Sequence, residues 1–249
     1  LIHIKLGVAT ASYQIEGGWN AADKSPNIWD TYCRKLNKIK DNTTGEDACK
    51  SYLYYQRDVQ MLKFLGVEFY RFSISWPRIL PNGFSNRISQ DGARYYNQLI
   101  DELIANNIAP VVTMFHWDLP QCLQDLGGWT NPLVADWFED YSRVLFDLYG
   151  DRVKTWVTIN EPKQIGLFGY GDTRFAPGIN AHGIGEYLAA KNIVMANAKA
   201  WRLYDTEYRG KQKGKFVAIM RGVTMIQSGQ ILLVAGSWRS DSYRSSVIT

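Results

Sequence analysis

The amino-acid sequence predicts an α/β fold of the (β/α)8 TIM-barrel type, here an incomplete barrel of about the first four to five βα units. Two observations predict it. Short runs of β-branched and aromatic residues alternate with longer segments whose apolar residues recur at helical spacing. Polar residues follow the ends of successive runs, where barrel enzymes carry their active sites. Nothing marks a linker, so residues 1–249 are expected to form a single partial barrel domain.

The elements follow in order along the chain. The runs with strand composition are residues 7–13, 67–74, 108–115, 153–160 and, less regularly, 215–226. The segments with helical periodicity are residues 51–65, 90–106, 132–149 and 183–208. Gly66 and Gly150 stand where two of these helices should end. An open sheet of this size would expose two edges and half of its apolar interior.

The composition is that of a soluble globular protein. The chain has 249 residues, 46% hydrophobic and 21% charged, with a formal net charge of +4. The basic residues are mostly scattered, which argues against nucleic-acid binding, and no apolar stretch reaches the roughly 18 residues of a membrane helix. Nine Trp and fifteen Tyr are compatible with an aromatic core or with a carbohydrate site, where flat rings lie under sugar C–H faces.

The cysteines and histidines indicate no metal and no cofactor. Cys33, Cys49 and Cys122 are too few and too far apart for a disulfide framework, and we expect buried thiols with at most one bridge. The three histidines lack metal-ligand spacing, and there is no phosphate-binding loop.

The cellular location depends on a weak signal. Asn42 begins a glycosylation sequon in a polar loop, which hints at a secreted parent protein. Residues 1–6 are too short for a signal peptide, so this chain supplies no further indication of its location.

An acid and an amide close the fourth predicted strand. Pro162 cannot continue a hydrogen-bond ladder, so the chain should turn away after Glu161. A carboxyl group at the mouth of a barrel strand is a candidate general acid or base, and Asn160 beside it is a candidate ligand for a polar substrate.

The other strand ends carry similar groups. Gln14 follows the first strand, Arg71 lies within the second, and His116 and Trp117 close the third. Each alone has a structural explanation, such as a turn cap, a buried ion pair or a core ring. Four successive strands that end in this way favour a sugar site, because amides, an imidazole and an indole face bind hydroxyls and stack on a pyranose.

At these residues the sequence resembles glycoside hydrolase family 1, which includes β-glucosidases, myrosinases and lactase-like proteins. The motifs that carry the resemblance lie in order at residues 7–19, 69–79, 111–120, 158–162 and 176–178. The resemblance covers about residues 7–219, and from about residue 220 to residue 249 the sequence diverges from the family.

The resemblance implies a role for each matching residue. Glu161 would be the general acid/base, and Arg71 would contact the catalytic nucleophile. The implied sugar-binding residues are Asn160 at the 2-hydroxyl, Gln14 and His116 at the 3- and 4-hydroxyls, and Trp117 in the wall of the sugar site.

The family's nucleophile motif is absent from these 249 residues. The family supplies the nucleophile from Thr-Glu-Asn-Gly on a later strand, and this chain contains no Glu-Asn-Gly. A retaining glycosidase needs a second, ionised carboxylate, so the chain is expected to be inactive alone. A fragment, an alternative transcript or a truncated gene model would each account for the pattern.

Two classes of function follow. The first is a β-glycosidase that hydrolyses O-linked, or alternatively S-linked, β-glucosides with retention. The second is a non-catalytic sugar-binding or regulatory remnant of such an enzyme. A small-molecule β-glycoside is the expected partner in both, whereas the preferred sugar, the aglycone and the oligomeric state stay open. An additional alternative is that the chain alone does not fold stably.

Overall fold

The computed structural model of the protein describes residues 5–220 and 223–226, whose strands form one six-stranded sheet in chain order. The strands are β1 Gly7–Ala9, β2 Phe69–Ser73, β3 Ala109–Phe115, β4 Thr155–Asn160, β5 Lys215–Met220 and β6 Val223–Ile226. The first five pair in parallel with their neighbours, and β6 pairs antiparallel with β5. The predicted parallel βα arrangement is therefore confirmed.

Helices connect the parallel strands. The α-helices in the described residues are α1 Ser12–Ile15, α2 Ile28–Cys33, α3 Ser51–Phe64, α4 Trp76–Ile79, α5 Gln90–Ala105, α6 Gln121–Asp125, α7 Val134–Tyr149, α8 Pro162–Gln164, α9 Gly185–Leu203 and α10 Arg209–Gln212. A 3-10 turn at Gly128–Thr130 and π-helical turns at Ile165–Gly171 and Tyr204–Tyr208 complete the connections. The four long helices α3, α5, α7 and α9 lie within the segments predicted from periodicity.

Helix α5 illustrates why the periodic segments form helices. The Ser89 hydroxyl accepts a hydrogen bond from the Gly92 backbone N–H at 3.0 Å and so caps the first turn. Leu99, Ile100 and Leu103 then fall on one buried face. At the other end of a helix, Gly66 follows α3 with a φ of +68°, the left-handed conformation that glycine adopts most readily.

The main core lies between the sheet and the helices. Trp76, Trp129 and Trp156 are fully buried in it. The rings of Trp76 and Tyr141 stack with centroids 4.5 Å apart and planes inclined by 3°. Much of the aromatic content is therefore core, although several rings remain partly exposed at the site described below.

The opposite face of the sheet is less exposed than the sequence suggested. Phe69, Val111 and Val157 form a second buried cluster with exposed fractions of 2, 4 and 0%. The Phe69 ring fills the space beside Gly7, where an added Cβ would come within 2.3 Å of the ring. The expectation that the apolar interior would lie open is wrong at these positions.

Two predicted strands differ from the observed ones. The run at 7–13 ends as a strand at Ala9 because Ser12, which begins α1, replaces ladder bonds with side-chain bonds: its N–H donates to the Ser73 hydroxyl at 2.7 Å. The run at 215–226 is two antiparallel strands rather than one. Residues 227–249, most of the divergent segment, lie outside the described residues.

The cysteine expectation is partly wrong. All three thiols are free, and Cys33 is buried as expected. Cys49, however, is exposed, and Cys122 is partly exposed.

Candidate active site

The register of the parallel sheet brings the candidate residues to one edge. Ala9 pairs with Arg71, Arg71 pairs with Val111, and Val111 pairs with Thr155. The carboxyl ends of the first four strands therefore meet at the same edge, as in barrel enzymes.

A chain of hydrogen bonds crosses three strands at this edge. Arg71 on β2 donates from Nε to the Thr113 hydroxyl on β3 at 2.9 Å and from Nη2 to Asn160 Oδ1 on β4 at 2.6 Å. The Asn160 amide lies 3.1 Å from His116 Nε2 just beyond β3. Three of the predicted site residues are thus connected directly.

The hydrogen-bond donors in this network determine which ring nitrogen of His116 carries the proton. Arg71 can only donate, so the Asn160 atom that faces it is the amide oxygen, and the amide NH2 faces His116. His116 Nε2 must then accept, which places the imidazole proton on Nδ1. Nδ1 is buried without a hydrogen-bond partner among the described residues. A second ring proton, on Nε2, would leave two hydrogen-bond donors, the ring N–H and the Asn160 NH2 group, facing each other.

Burial and charge act in the same direction on the imidazole. Burial, and to a smaller extent the nearby Arg71 guanidinium, lower the pKa of His116 to about 3. Burial also lowers the pKa of Arg71 to about 10, and the negative charge of Glu161 opposes that shift. At neutral pH the site therefore holds a neutral imidazole and a buried guanidinium cation.

Glu161 stands at the mouth of β4 in an unusual backbone conformation. Its φ and ψ are 45° and 58°, in the left-handed region that non-glycine residues rarely occupy. Its carbonyl accepts the N–H of Gln164 at 2.9 Å, and Pro162 occupies the first turn of α8. The predicted turn after Glu161 is therefore present. Its carboxylate has no hydrogen-bond partner within the described part of the chain.

Trp117, which follows His116 in the chain, is held by a hydrogen bond and two ring contacts. Its φ is +74°, and its indole N–H donates to the Ala176 carbonyl at 2.7 Å. The ring meets Trp29 edge-on with centroids 5.7 Å apart and Phe175 in the same manner at 5.6 Å. These contacts fix the indole plane at the edge of the sheet.

Gln14, His116 and Trp117 line one groove with a volume of about 200 Å³. Gln14 lies in α1 and is partly exposed. Gln14 lines the groove, and it makes no hydrogen bond to the other candidate residues that the structure describes. Arg71, Asn160 and Glu161 do not line this groove, so His116 is the residue shared by the groove and the hydrogen-bond chain.

Two buried carboxylates that the sequence did not single out, Glu16 and Asp118, make hydrogen bonds at the two ends of α1, the helix that carries Gln14. The Ser12 hydroxyl donates to Asp118 Oδ2 at 2.6 Å, and burial raises the pKa of Asp118 to about 6. Glu16 accepts from Arg78 Nε at 2.9 Å and from the Tyr96 hydroxyl at 2.5 Å. Both carboxylates are almost completely buried, and their bonds anchor the start and the end of α1.

Thr113 and the rings of Trp29 and Phe175 were also missed. Strand alternation could have found Thr113, since it lies two residues after Val111 and faces the same side of β3. Trp29 and Phe175 lie in connections between strands, where periodicity carries no signal. Across residues 5–220 and 223–226 there is no cluster of three or more His, Cys, Asp or Glu that could hold a metal. In the same residues no helix is long and apolar enough to cross a membrane.

Comparison with protein families matches residues 3–228 to the model for glycosyl hydrolase family 1. Among curated proteins, myrosinase 1 of Brevicoryne brassicae is 51% identical over 218 residues, which make up 87% of this chain and 47% of that protein. The human cytosolic β-glucosidase is 45% identical over 207 residues, or 83% of this chain and 44% of that protein. The chain spans about half the length of these relatives.

Solved structures agree with the sequence matches. An aphid myrosinase superposes with a TM-score of 0.84 at 51% identity, over 86% of this chain and 46% of that chain. A family 1 β-glucosidase from Thermotoga maritima gives a TM-score of 0.83 at 43% identity, over 87% of this chain and 48% of that chain. The barrel-type fold predicted from the sequence is confirmed.

Proposed function

This chain belongs to glycosyl hydrolase family 1, and from that premise we propose that it carries the acid/base half of a retaining β-glycosidase site. Glu161 protonates the glycosidic oxygen as the aglycone leaves and later takes a proton from the water that releases the sugar. The substrates are small β-glycosides, with O-linked β-glucosides first and S-linked ones as the alternative.

The observation that carries the proposal is the hydrogen-bonded set of Arg71, Asn160 and His116 beside Glu161. The set brings a guanidinium, an amide and an imidazole from three strands to the residue before the proposed acid. We assign Asn160 to the 2-hydroxyl of the sugar, Gln14 and His116 to the 3- and 4-hydroxyls, and the Trp117 ring to the wall of the sugar site.

The proposed reaction also needs a second carboxylate about 5 to 5.5 Å from the first, to attack the anomeric carbon. We assign Arg71 to contact such a group, and its environment supports this: the guanidinium is buried and, in the described residues, hydrogen-bonds only to the uncharged Thr113 and Asn160 side chains. The 249 residues contain no Glu-Asn-Gly motif. We therefore propose that this polypeptide binds β-glucosides without turning them over by itself.

The test is a binding and turnover measurement on the purified 249-residue chain. Phenyl β-D-glucoside should quench tryptophan fluorescence, and His116→Ala should weaken binding, whereas Lys40→Ala, an exposed control, should not. 4-Nitrophenyl β-D-glucoside should release no nitrophenol. Hydrolysis that disappears in Glu161→Gln would refute the inactivity and require another nucleophile in the chain.

The chain keeps the residues assigned to sugar binding but contains no Glu-Asn-Gly motif. This combination favours one further candidate function, a sugar-binding protein that catalyses no reaction. Added azide separates the two. If Glu161 is a working acid, azide attacks the anomeric carbon, the bond to the phenolic oxygen breaks, and Glu161 protonates the departing phenolate. Phenol and an α-glucosyl azide should then form at a rate that Glu161→Gln lowers. Binding without any azide-dependent release would favour the non-catalytic candidate.

A further inference from the structure

The groove beside Gln14 and His116 has an aromatic wall of which the sugar assignments use only Trp117. Trp29 lies at its centre: its ring stacks on Tyr13 with centroids 5.9 Å apart and meets Tyr32 edge-on at 5.7 Å. Trp117 and Phe175 continue the wall. Five rings in contact form a surface suited to a flat apolar group rather than to a second sugar, which would need hydrogen-bond partners.

The charged side chains that line the described part of the groove are all cationic. Among the described residues that line it, Lys38 and Arg174 are cationic and none is acidic. Arg174 is already neutralised, since its guanidinium contacts Asp172 at 2.6 Å. Lys38 has no carboxylate partner in the described part of the chain. Its ammonium donates to the Thr173 carbonyl at 3.4 Å and lies 5.5 Å from the Tyr32 ring centroid.

Asp41, three residues after Lys38 in the chain, makes no ion pair with it among the described residues. Asp41 is exposed, and its carboxylate accepts the hydroxyl of Thr43 at 2.8 Å and the Thr43 N–H at 3.3 Å. Of the two described cations that line the groove, Lys38 is therefore the one without a carboxylate partner, and it can bind an anionic ligand.

The segment from Thr173 to Ala176 connects Lys38 with Trp117, which lies at the end of the groove assigned to the sugar. The Thr173 carbonyl accepts from Lys38 and from the Tyr32 hydroxyl, the latter at 2.7 Å, and the Ala176 carbonyl accepts from Trp117. Three residues span at most about 10 Å of extended chain. The Lys38 ammonium and the Trp117 indole are thus held at the two ends of this short segment, and an aglycone that leaves the sugar end along the groove extends toward Lys38.

From this arrangement we propose that the groove selects aryl β-glycosides whose aglycone carries an anionic group, which Lys38 binds while the ring lies against Trp29. The inference rests on the proposed function, because Gln14 and His116 orient the sugar end. It adds the chemical class of the aglycone.

The test compares two glucosides that differ only in the anion. Phenyl β-D-glucoside and 4-carboxyphenyl β-D-glucoside are titrated into the 249-residue chain at low salt, with tryptophan fluorescence and calorimetry as readouts. We expect the carboxylate to lower Kd about two- to fivefold, the effect of one partly exposed ion pair. High salt should remove the preference.

Matched lysine variants assign the effect. Lys38→Met should bring the two Kd values together without changing that of the neutral glucoside, and Lys38→Glu should reverse the preference. Lys40→Met loses the same charge at an exposed neighbouring position outside the groove and should keep the preference. Equal Kd values in the unmodified chain, no binding of the anionic glucoside, or a preference that survives Lys38→Met would each overturn the inference.

The same titrations separate this inference from the proposed function. If benzoate without the sugar binds as tightly as 4-carboxyphenyl β-D-glucoside, the sugar site fails, whereas a Lys38-dependent preference for the anion would still support the aromatic anion site. If both glucosides bind alike and His116→Ala weakens both, the proposed function stands and the inference fails.

Discussion

At the scale of single residues, the amide of Asn160 controls the protonation of its neighbour. Because Arg71 occupies the amide oxygen, His116 can only accept from Asn160, and burial further disfavours its charged form. Below pH 6.5 the unfolded chain therefore binds a proton at this imidazole that the folded chain does not bind until its pKa of about 3.

The first prediction concerns acid stability. The folded-state pKa of His116 is depressed, so its contribution lowers the free energy of unfolding as pH falls from about 6.5 toward 3, by at most about 1.4 kcal/mol per pH unit. Asp118, whose pKa is raised to about 6, acts in the opposite direction over part of this range. We therefore expect the difference between the unmodified chain and His116→Gln, measured by urea unfolding at several pH values, to show the His116 slope.

The isosteric substitution Asn160→Asp tests the same interaction in the opposite direction, because it should favour the protonated form of His116. A carboxylate there would accept from both Arg71 and a protonated His116, so the pKa of His116 should rise by more than one unit in an NMR titration. A parallel pH dependence in the unmodified chain and His116→Gln would contradict the assignment, as would an unchanged imidazole titration in Asn160→Asp.

At the scale of elements, the connection from β1 through α1 depends on one buried ion pair. Glu16 and Arg78 have side-chain exposures of 5 and 1%, and the Arg78 guanidinium also lies 4.3 Å from the Tyr52 ring centroid. The charges are desolvated, so removing one of them leaves the other buried without compensation.

The second prediction is a stability difference between two matched substitutions. Glu16→Gln should lower the free energy of unfolding by about 3 to 5 kcal/mol. Glu46→Gln removes the same charge from an exposed pair with Arg34, in which each side chain is 39% exposed, and should cost about 1 kcal/mol or less. Urea unfolding of both variants measures the difference, and similar losses would show that the buried pair does not anchor α1.

How far the sequence predicts these elements depends on the kind of signal each one leaves. Helix α5 and the stop at Gly66 follow from periodicity and backbone preference, which are local. The strand ends that carry His116 and Asn160 were located for the same reason. The end of β1 at Ala9 was not, since it depends on Ser12 meeting Ser73 and Asp118, which are distant in sequence.

The aromatic wall was missed for a related reason. Trp29 belongs to a long connection between β1 and α3, and its neighbours Tyr13, Trp117 and Phe175 come from three other segments. Only tertiary structure brings such rings together. By contrast, His116, Trp117 and Asn160 lie at or just beyond strand ends, where the parallel topology alone predicts that they meet.

At the scale of the whole molecule, the sheet has two outer edges. Strand order runs from β1 to β6, and in the described residues β1 pairs only with β2 while β6 pairs only with β5. Unpaired backbone donors and acceptors at an edge are a template for association. Exposed apolar side chains outside the strands, such as Phe64, which is 91% exposed, are a second surface through which copies of the chain can associate.

The third prediction is that the isolated 249-residue chain self-associates at micromolar concentration and binds apolar dyes. Light scattering and size-exclusion chromatography over a dilution series measure the association. Phe64→Glu removes an exposed ring that lies on helix α3 and not on a strand, so it should reduce dye binding while the association persists if the edges drive it. If Phe64→Glu restores a monomer, the apolar surface and not the edge is responsible. A monomer of the unmodified chain with a single sharp melting transition would contradict the prediction, because a sheet whose edges drive association should not remain monomeric at these concentrations.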